Sequence, residues 1–170
     1  MRVYGVVGWK NAGKTTLMER LVSDITSRGF TVSTIKHAHH VFDVDRPGKD
    51  SFRHREAGAQ EVLVASGARW ALMHELRDAE EPPLEDLLAK MSPVDLILIE
   101  GYKRDSHFKV EAYRAKTGAP MIGADDSTIR AIATNDVIEA AQPLLPLDDP
   151  KVVADFILRE VGLLSQAAHG

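Results

Sequence analysis

The sequence contains no cysteine among its 170 residues, which excludes disulfides, thiol catalysis and zinc-thiolate sites. It also lacks any apolar run that approaches the roughly 18 residues of a membrane span. The apolar N-terminus is short and ends before Lys10 and Lys14, so it does not have the pattern of a signal peptide. These absences predict a cytoplasmic protein with no membrane partner.

A strongly basic composition is missing as well. The sequence has 21 Lys and Arg against 25 Asp and Glu, which gives a formal net charge of -4. Because nucleic-acid-binding domains usually carry a basic stripe, we expect no nucleic-acid partner. The hydrophobic fraction of 44% and the charged fraction of 27% are typical of a folded domain. The length predicts a single domain over residues 1–170.

Alternating strand and helix patterns predict an α/β fold with a mostly parallel sheet. Residues 2–7 form an apolar β-rich run, helical periodicity extends over 17–25, and residues 31–36 form a second β-rich run. Such a strand–helix–strand unit favours a parallel strand pair. The runs 61–65 and 69–74 predict an added antiparallel hairpin. Further predicted elements are helices at 51–58, 84–91 and 152–164 and strands at 94–99, 108–114 and 129–134.

A complete P-loop motif extends from Gly8 to Thr15, directly after the first predicted strand. In such a loop, backbone N–H groups converge on phosphates, and the following helix directs its positive dipole end at them. Lys14 supplies a cation for the β and γ phosphates and is the predicted catalytic residue, while the Thr15 hydroxyl is a predicted Mg²⁺ ligand. The predicted nucleotide-binding residues here are Gly8, Lys10, Asn11, Ala12, Gly13, Lys14, Thr15 and Thr16.

A P-loop site also needs a carboxylate on its magnesium side, at the end of a neighbouring buried strand. Glu100 directly follows the apolar run 96–99 and is the predicted second magnesium ligand, with Thr15. A simple turn residue before Gly101 is the alternative interpretation of Glu100.

Three histidines in four residues follow the second predicted strand. Lys36, His37 and His39 are predicted to contact the ligand, because crevices form at the carboxyl ends of parallel strands. His37, His39 and His40 could instead hold a metal such as zinc or nickel, or belong to a polar loop without a ligand.

The charged segment 43–51 has the position of a switch loop near the γ-phosphate, although a solvated surface loop is the alternative. Arg46, Arg53 and Arg55 are candidates for an arginine finger. Asp136, after a late strand, is a candidate for contact with a base, or for the cap of a helix beginning at Val137.

Taken together, these motifs resemble the MobB family of molybdopterin-guanine dinucleotide biosynthesis adapter proteins. The resemblance covers roughly residues 2–136 and is strongest in the P-loop, in 36–40, in 43–51 and in 99–101. Residues 65–66 and 69–73 also match that family.

The resemblance implies a P-loop GTPase-superfamily member with a three-layer nucleotide-binding domain that binds GTP and Mg²⁺ and hydrolyses GTP weakly at best. It further implies a homodimer that assists the MobA guanylyltransferase, with molybdopterin as a further ligand. The usual Asn-Lys-x-Asp guanine motif is missing, so guanine specificity depends on the resemblance alone. A metal-delivery GTPase and a small-molecule P-loop kinase remain the alternatives.

Overall fold

The computed structural model describes residues 1–38 and 42–165. This part of the chain divides into two compact units, one formed by Met1–His37 with the chain from Pro93 onward, the other by Ala38–Ser92. The elements are β1 (Arg2–Val7), α1 (Lys14–Ser27), β2 (Val32–Lys36), α2 (Asp50–Glu56), β3 (Glu61–Ala65), β4 (Trp70–His74), α3 (Leu84–Leu88), β5 (Leu96–Glu100), β6 (Lys109–Ala112), β7 (Ile129–Ala133), β8 (Leu144–Leu145) and α4 (Pro150–Glu160).

Among the described residues, six strands of the larger unit form a parallel sheet in the order β2-β5-β1-β6-β7-β8. The carboxyl ends of all six strands therefore lie at one edge. Strand β1 is central, with β5 on one side and β6 on the other. Because the chain leaves β1 through α1 to reach β2 on the β5 side, this edge has the topology at which α/β proteins bind ligands.

Helices α1 and α4 pack against one face of this sheet. Leu17, Leu21 and Ile25 recur at helical spacing along α1 and are buried against alternate sheet residues such as Tyr4 and Val6. Burial of this apolar stripe stabilises the helix, whose sequence is otherwise polar. No helix in the described part of the chain is long and apolar enough to cross a membrane.

The opposite face of the sheet carries two buried charged residues. Lys109 donates through Nζ to Thr128 Oγ1 at 2.6 Å and to the His107 carbonyl at 2.9 Å. Glu111 accepts from the backbone N–H groups of Ile122 at 2.9 Å and Gly123 at 2.8 Å. Burial lowers the pKa of Lys109 and raises the pKa of Glu111. These bonds fix the loops on either side of β6.

The smaller unit contains an antiparallel hairpin in which Leu63 of β3 pairs with Leu72 of β4. The Arg55 guanidinium of α2 is only 12% exposed and forms ion pairs with Asp43, Asp45 and Glu75. This arginine therefore ties the segment before α2 to the end of the hairpin, and it is not available as an arginine finger in this conformation.

The predicted α/β fold, with its parallel sheet and separate hairpin, is confirmed. Helix α4 begins at Pro150, before the predicted position 152, because the Asp149 side chain accepts from the Lys151 N–H at 3.1 Å. The helix expected at Val137 is wrong: the chain is irregular there and then forms the short strand β8. A two-residue strand has too little sequence pattern to be predicted.

Asp95 links the starts of β2 and β5, because its Oδ2 accepts from the Thr31 N–H and hydroxyl, each at 2.7 Å. These bonds lower the pKa of Asp95. We expect Asp95→Asn to lower the urea midpoint at neutral pH. A depressed folded-state pKa stabilises the fold above the ordinary pKa of about 3.9, so the difference between the two proteins should close as pH falls below that value and through the lower folded-state pKa. Asp125→Asn, at an exposed aspartate, is the control; a pH-independent difference would contradict the assignment.

Candidate functional site

The P-loop joins β1 to α1 at the carboxyl edge of the sheet. Gly8 has φ 145° and Gly13 φ 100°, conformations that favour glycine. A Cβ on Gly8 would lie 2.4 Å from the Ala112 carbonyl oxygen, so the loop approaches the end of β6 too closely for any side chain. The Ala12 N–H donates to the Trp9 carbonyl at 3.2 Å and closes the turn. Helix α1 begins at Lys14, and its first N–H groups face the loop.

Several cations converge on this loop. Lys14 Nζ donates to the Trp9 carbonyl at 2.8 Å and therefore lies across the loop. Burial lowers the pKa of Lys14; the charges of Lys103 and Lys36 lower it further, and Glu100 opposes the shift. Positive charge concentrated in this way is stabilised by an anion of the phosphate type.

Thr15 and Glu100 meet as predicted for a magnesium site. The Thr15 hydroxyl donates to Glu100 Oε1 at 3.3 Å, and Lys36 Nζ lies 3.7 Å from Glu100 Oε2. The Glu100 side chain is 12% exposed, because β5 lies between β1 and β2. Hydroxyl and carboxylate oxygens suit Mg²⁺, which typically takes one or two protein ligands together with phosphate oxygens. The residues present fit this ion.

His37 stacks on Tyr102, with 4.5 Å between ring centroids, at the ends of β2 and β5. Lys36 and His37 thus lie beside Glu100, at the edge where they were predicted. His39 and His40 lie outside the described residues, so their predicted roles stay predictions. Within residues 1–38 and 42–165, no group of three or more His, Cys, Asp or Glu side chains is placed to hold a metal ion.

Asp136 follows β7 at the same edge of the sheet, but its carboxylate has a backbone partner. Oδ2 accepts from the Ala115 N–H at 2.6 Å and so ties the end of β7 to the chain after β6. The alternative role as a helix cap is wrong, because no helix begins at Val137. Contact of Asp136 with a base stays a prediction.

Sequence reasoning missed three side chains at the loop. Trp9 Nε1 donates to the Pro120 carbonyl at 2.7 Å, and Lys103 Nζ lies 3.9 Å from the centroid of the Trp9 ring. Burial lowers the pKa of Lys103. Arg114, which follows β6, lies against Gly13. The rule that located Glu100, a polar residue just past a strand end, would also have indicated Arg114.

Comparison with known proteins gives consistent matches. The family model described as "Molybdopterin guanine dinucleotide synthesis protein B" matches residues 3–135. A molybdopterin-guanine dinucleotide biosynthesis adapter protein from Escherichia coli (strain K12) is 40% identical over 153 residues, covering 88% of this chain and 87% of that protein. The Haemophilus influenzae protein of the same name is 38% identical over 156 residues, which cover 90% of this chain and 85% of that protein.

Solved structures agree with the sequence matches. A MobB homologue from Bacillus stearothermophilus has a TM-score of 0.70 and 29% identity, with 96% of this chain and 100% of that chain covered. Bacillus subtilis MobB has a TM-score of 0.73 and 25% identity, with 95% and 98% covered. With a family model over residues 3–135 and relatives near 40% identity, the chain belongs to the MobB family of molybdopterin guanine dinucleotide synthesis proteins.

Proposed function

We propose that this protein is a GTP-binding adapter in the biosynthesis of molybdopterin-guanine dinucleotide. The observation that carries the proposal is the P-loop of a MobB-family chain, where Lys14 crosses the loop and Thr15 meets Glu100 at 3.3 Å. A triphosphate needs donors and cations that converge from one side, and the carboxyl edge of β1 offers both. We propose that the two compact units act as one nucleotide-binding domain over residues 1–170.

In this proposal the phosphates lie against the backbone N–H groups of the loop and the first turn of α1. The ligands are those of the P-loop named above, from Gly8 to Thr16, with Lys36 and His37 at the adjoining strand end. Thr15 and Glu100 would hold Mg²⁺, which would neutralise part of the phosphate charge. The pair supplies hard oxygen ligands on the β5 side of the loop.

Hydrolysis in this proposal is weak. Lys14 would stabilise charge on the phosphates, which is why we assign it the catalytic role. Efficient phosphoryl transfer also needs a residue that orients water and a cation in the manner of an arginine finger. Arg55, one of the sequence candidates, already binds three carboxylates in the smaller unit. With Arg55 engaged in this way, we expect the site to hold nucleotide and to hydrolyse it slowly.

The biological setting follows from the family. Relatives are named adapter proteins of molybdopterin-guanine dinucleotide biosynthesis, and a product that contains guanine makes GTP the fitting nucleotide. We propose that the chain assists a MobA-type guanylyltransferase in the cytoplasm, with molybdopterin as a further ligand. No observation favours a metal-delivery GTPase or a small-molecule kinase over this role.

We further propose that the protein is a homodimer that uses its hairpin. Leu63, Trp70 and Leu72 share one face of β3–β4 and are 60%, 69% and 48% exposed. A two-stranded sheet is marginally stable by itself, and adjoining apolar side chains of this size mark interaction surfaces. A second copy of the same hairpin would cover this apolar face.

The nucleotide proposal is tested by Lys14→Ala. Loss of the ammonium removes charge-assisted hydrogen bonds to phosphate, so calorimetry should show GTP affinity reduced by about 100-fold or more. Lys90→Ala, at an exposed lysine beyond α3, is the matched control and should bind as the wild type does. Unchanged affinity in the Lys14 variant would refute the site.

The dimer proposal is tested by Trp70→Lys, which places a charge on the apolar face of the hairpin. Light scattering should give twice the chain mass for the wild type and a shift toward one chain mass for the variant. The control is Val137→Lys, since Val137 is fully exposed in the larger unit and lies outside the hairpin. A wild type of single-chain mass at micromolar concentration would contradict the proposal.

A further inference from the structure

Arg114 lies against the P-loop and has no strong partner within residues 1–38 and 42–165. A Cβ built on Gly13 would be 3.4 Å from Arg114 Nε and 3.5 Å from Nη2, so the guanidinium borders the residue that precedes Lys14. Its Nε is buried and has no hydrogen-bond partner among the described residues. Asp148 offers an oxygen 4.0 Å from Nη2, but that carboxylate is 68% exposed and also accepts from the Asn135 side chain. An ion pair this long and this exposed contributes little.

The surrounding chain holds Arg114 in this position. The Tyr113 N–H donates to the Ala133 carbonyl at 2.9 Å, and the Ala115 N–H donates to Asp136 Oδ2 at 2.6 Å. The carbonyl of Arg114 itself accepts from the Thr117 hydroxyl at 2.9 Å. Backbone bonds before, at and after position 114 thus fix the residue from which the guanidinium extends.

The location is electrostatically unfavourable for a cation. Gly13 immediately precedes α1, whose N-terminus carries partial positive charge and disfavours nearby cations. Lys14, Lys36 and Lys103 already lie around the loop, and the latter two lower the pKa of Lys14. A fourth cation, whose Nε has no hydrogen-bond partner among the described residues, therefore adds repulsion that a bound anion would offset. Such a placement is typical of a binding residue retained at a cost in stability.

We infer that Arg114 is a phosphate ligand of the bound nucleotide, an inference that rests on the proposed nucleotide-binding function. Thr15 and Glu100, which would hold Mg²⁺, lie on the β5 side of β1, and we therefore place the γ-phosphate on that side. Arg114 follows β6 and approaches from the other side of β1. Its guanidinium therefore contacts an α- or β-phosphate oxygen, which GDP retains as well as GTP. It differs in this from an arginine finger, which acts on the γ-phosphate.

The test is calorimetric titration of wild type, Arg114→Ala and Arg114→Lys with GTP and with GDP, each with Mg²⁺. Loss of charge-assisted bonds should weaken both nucleotides in the alanine variant by a similar factor of about ten to 100. The affinity of the lysine variant should lie between those of the wild type and the alanine variant, because lysine keeps the charge but not the forked guanidinium donors. Arg130→Ala is the matched control. Arg130 forms an ion pair with Glu160, with 2.9 Å between Nε and Oε2, and this pair does not involve the P-loop.

Thermal unfolding without nucleotide separates binding from structure. Removal of a cation whose ion pair with Asp148 is long and exposed should leave the ligand-free Tm of Arg114→Ala unchanged or higher. The rise in Tm on adding GDP should become smaller. A fall in the ligand-free Tm with undiminished affinity would assign Arg114 a structural role and overturn the inference. Weaker binding of GTP with unchanged binding of GDP would contradict contact with an α- or β-phosphate. If wild type binds neither nucleotide, the proposed function itself fails.

Discussion

The close approach of the P-loop to the end of β6 is the constraint on which the site depends. The Ala112 carbonyl lies where any side chain at position 8 would have to be, so the loop must turn sharply as it leaves β1. That turn directs the N-terminus of α1 at the carboxyl edge of the sheet and places Lys14 across the loop. The dipole of α1 and the Lys14 ammonium therefore both direct positive charge at the space enclosed by the P-loop.

Sheet order explains how the remaining groups reach that volume. Because β5 is inserted between β1 and β2, Glu100 lies between Thr15 and Lys36, on the side suited to magnesium. Strand β6 pairs with β1 on its other side, and the chain beyond it contributes Arg114. The charged side chains around the P-loop are therefore mostly cations, which surround the carboxylate of Glu100. A bound polyanion would relieve this like-charge repulsion within the protein.

Sequence patterns predicted the groups whose position is set locally. The P-loop follows from eight consecutive residues, and Glu100 follows from one apolar run with an acid at its end. The strand-end rule would have marked Arg114 as a candidate, but its proximity to the P-loop depends on the pairing of β6 with β1, which no local pattern encodes. Lys103 lies in a loop and has no such local signal. The partner of Asp136 was missed for the same reason: its acceptor bond joins residues from different loops. Side chains whose positions depend on contacts between distant parts of the chain therefore cannot be assigned to the site from sequence alone.

The central claim is that this P-loop holds a guanine nucleotide with magnesium. The most direct measurement is titration of the wild-type protein with GTP and with ATP, each with Mg²⁺ and with a chelator. The account predicts that GTP binds more tightly than ATP and that Mg²⁺ strengthens GTP binding. A preference for ATP would contradict the adapter proposal and favour a kinase, and the absence of binding to either nucleotide would contradict the site as a whole.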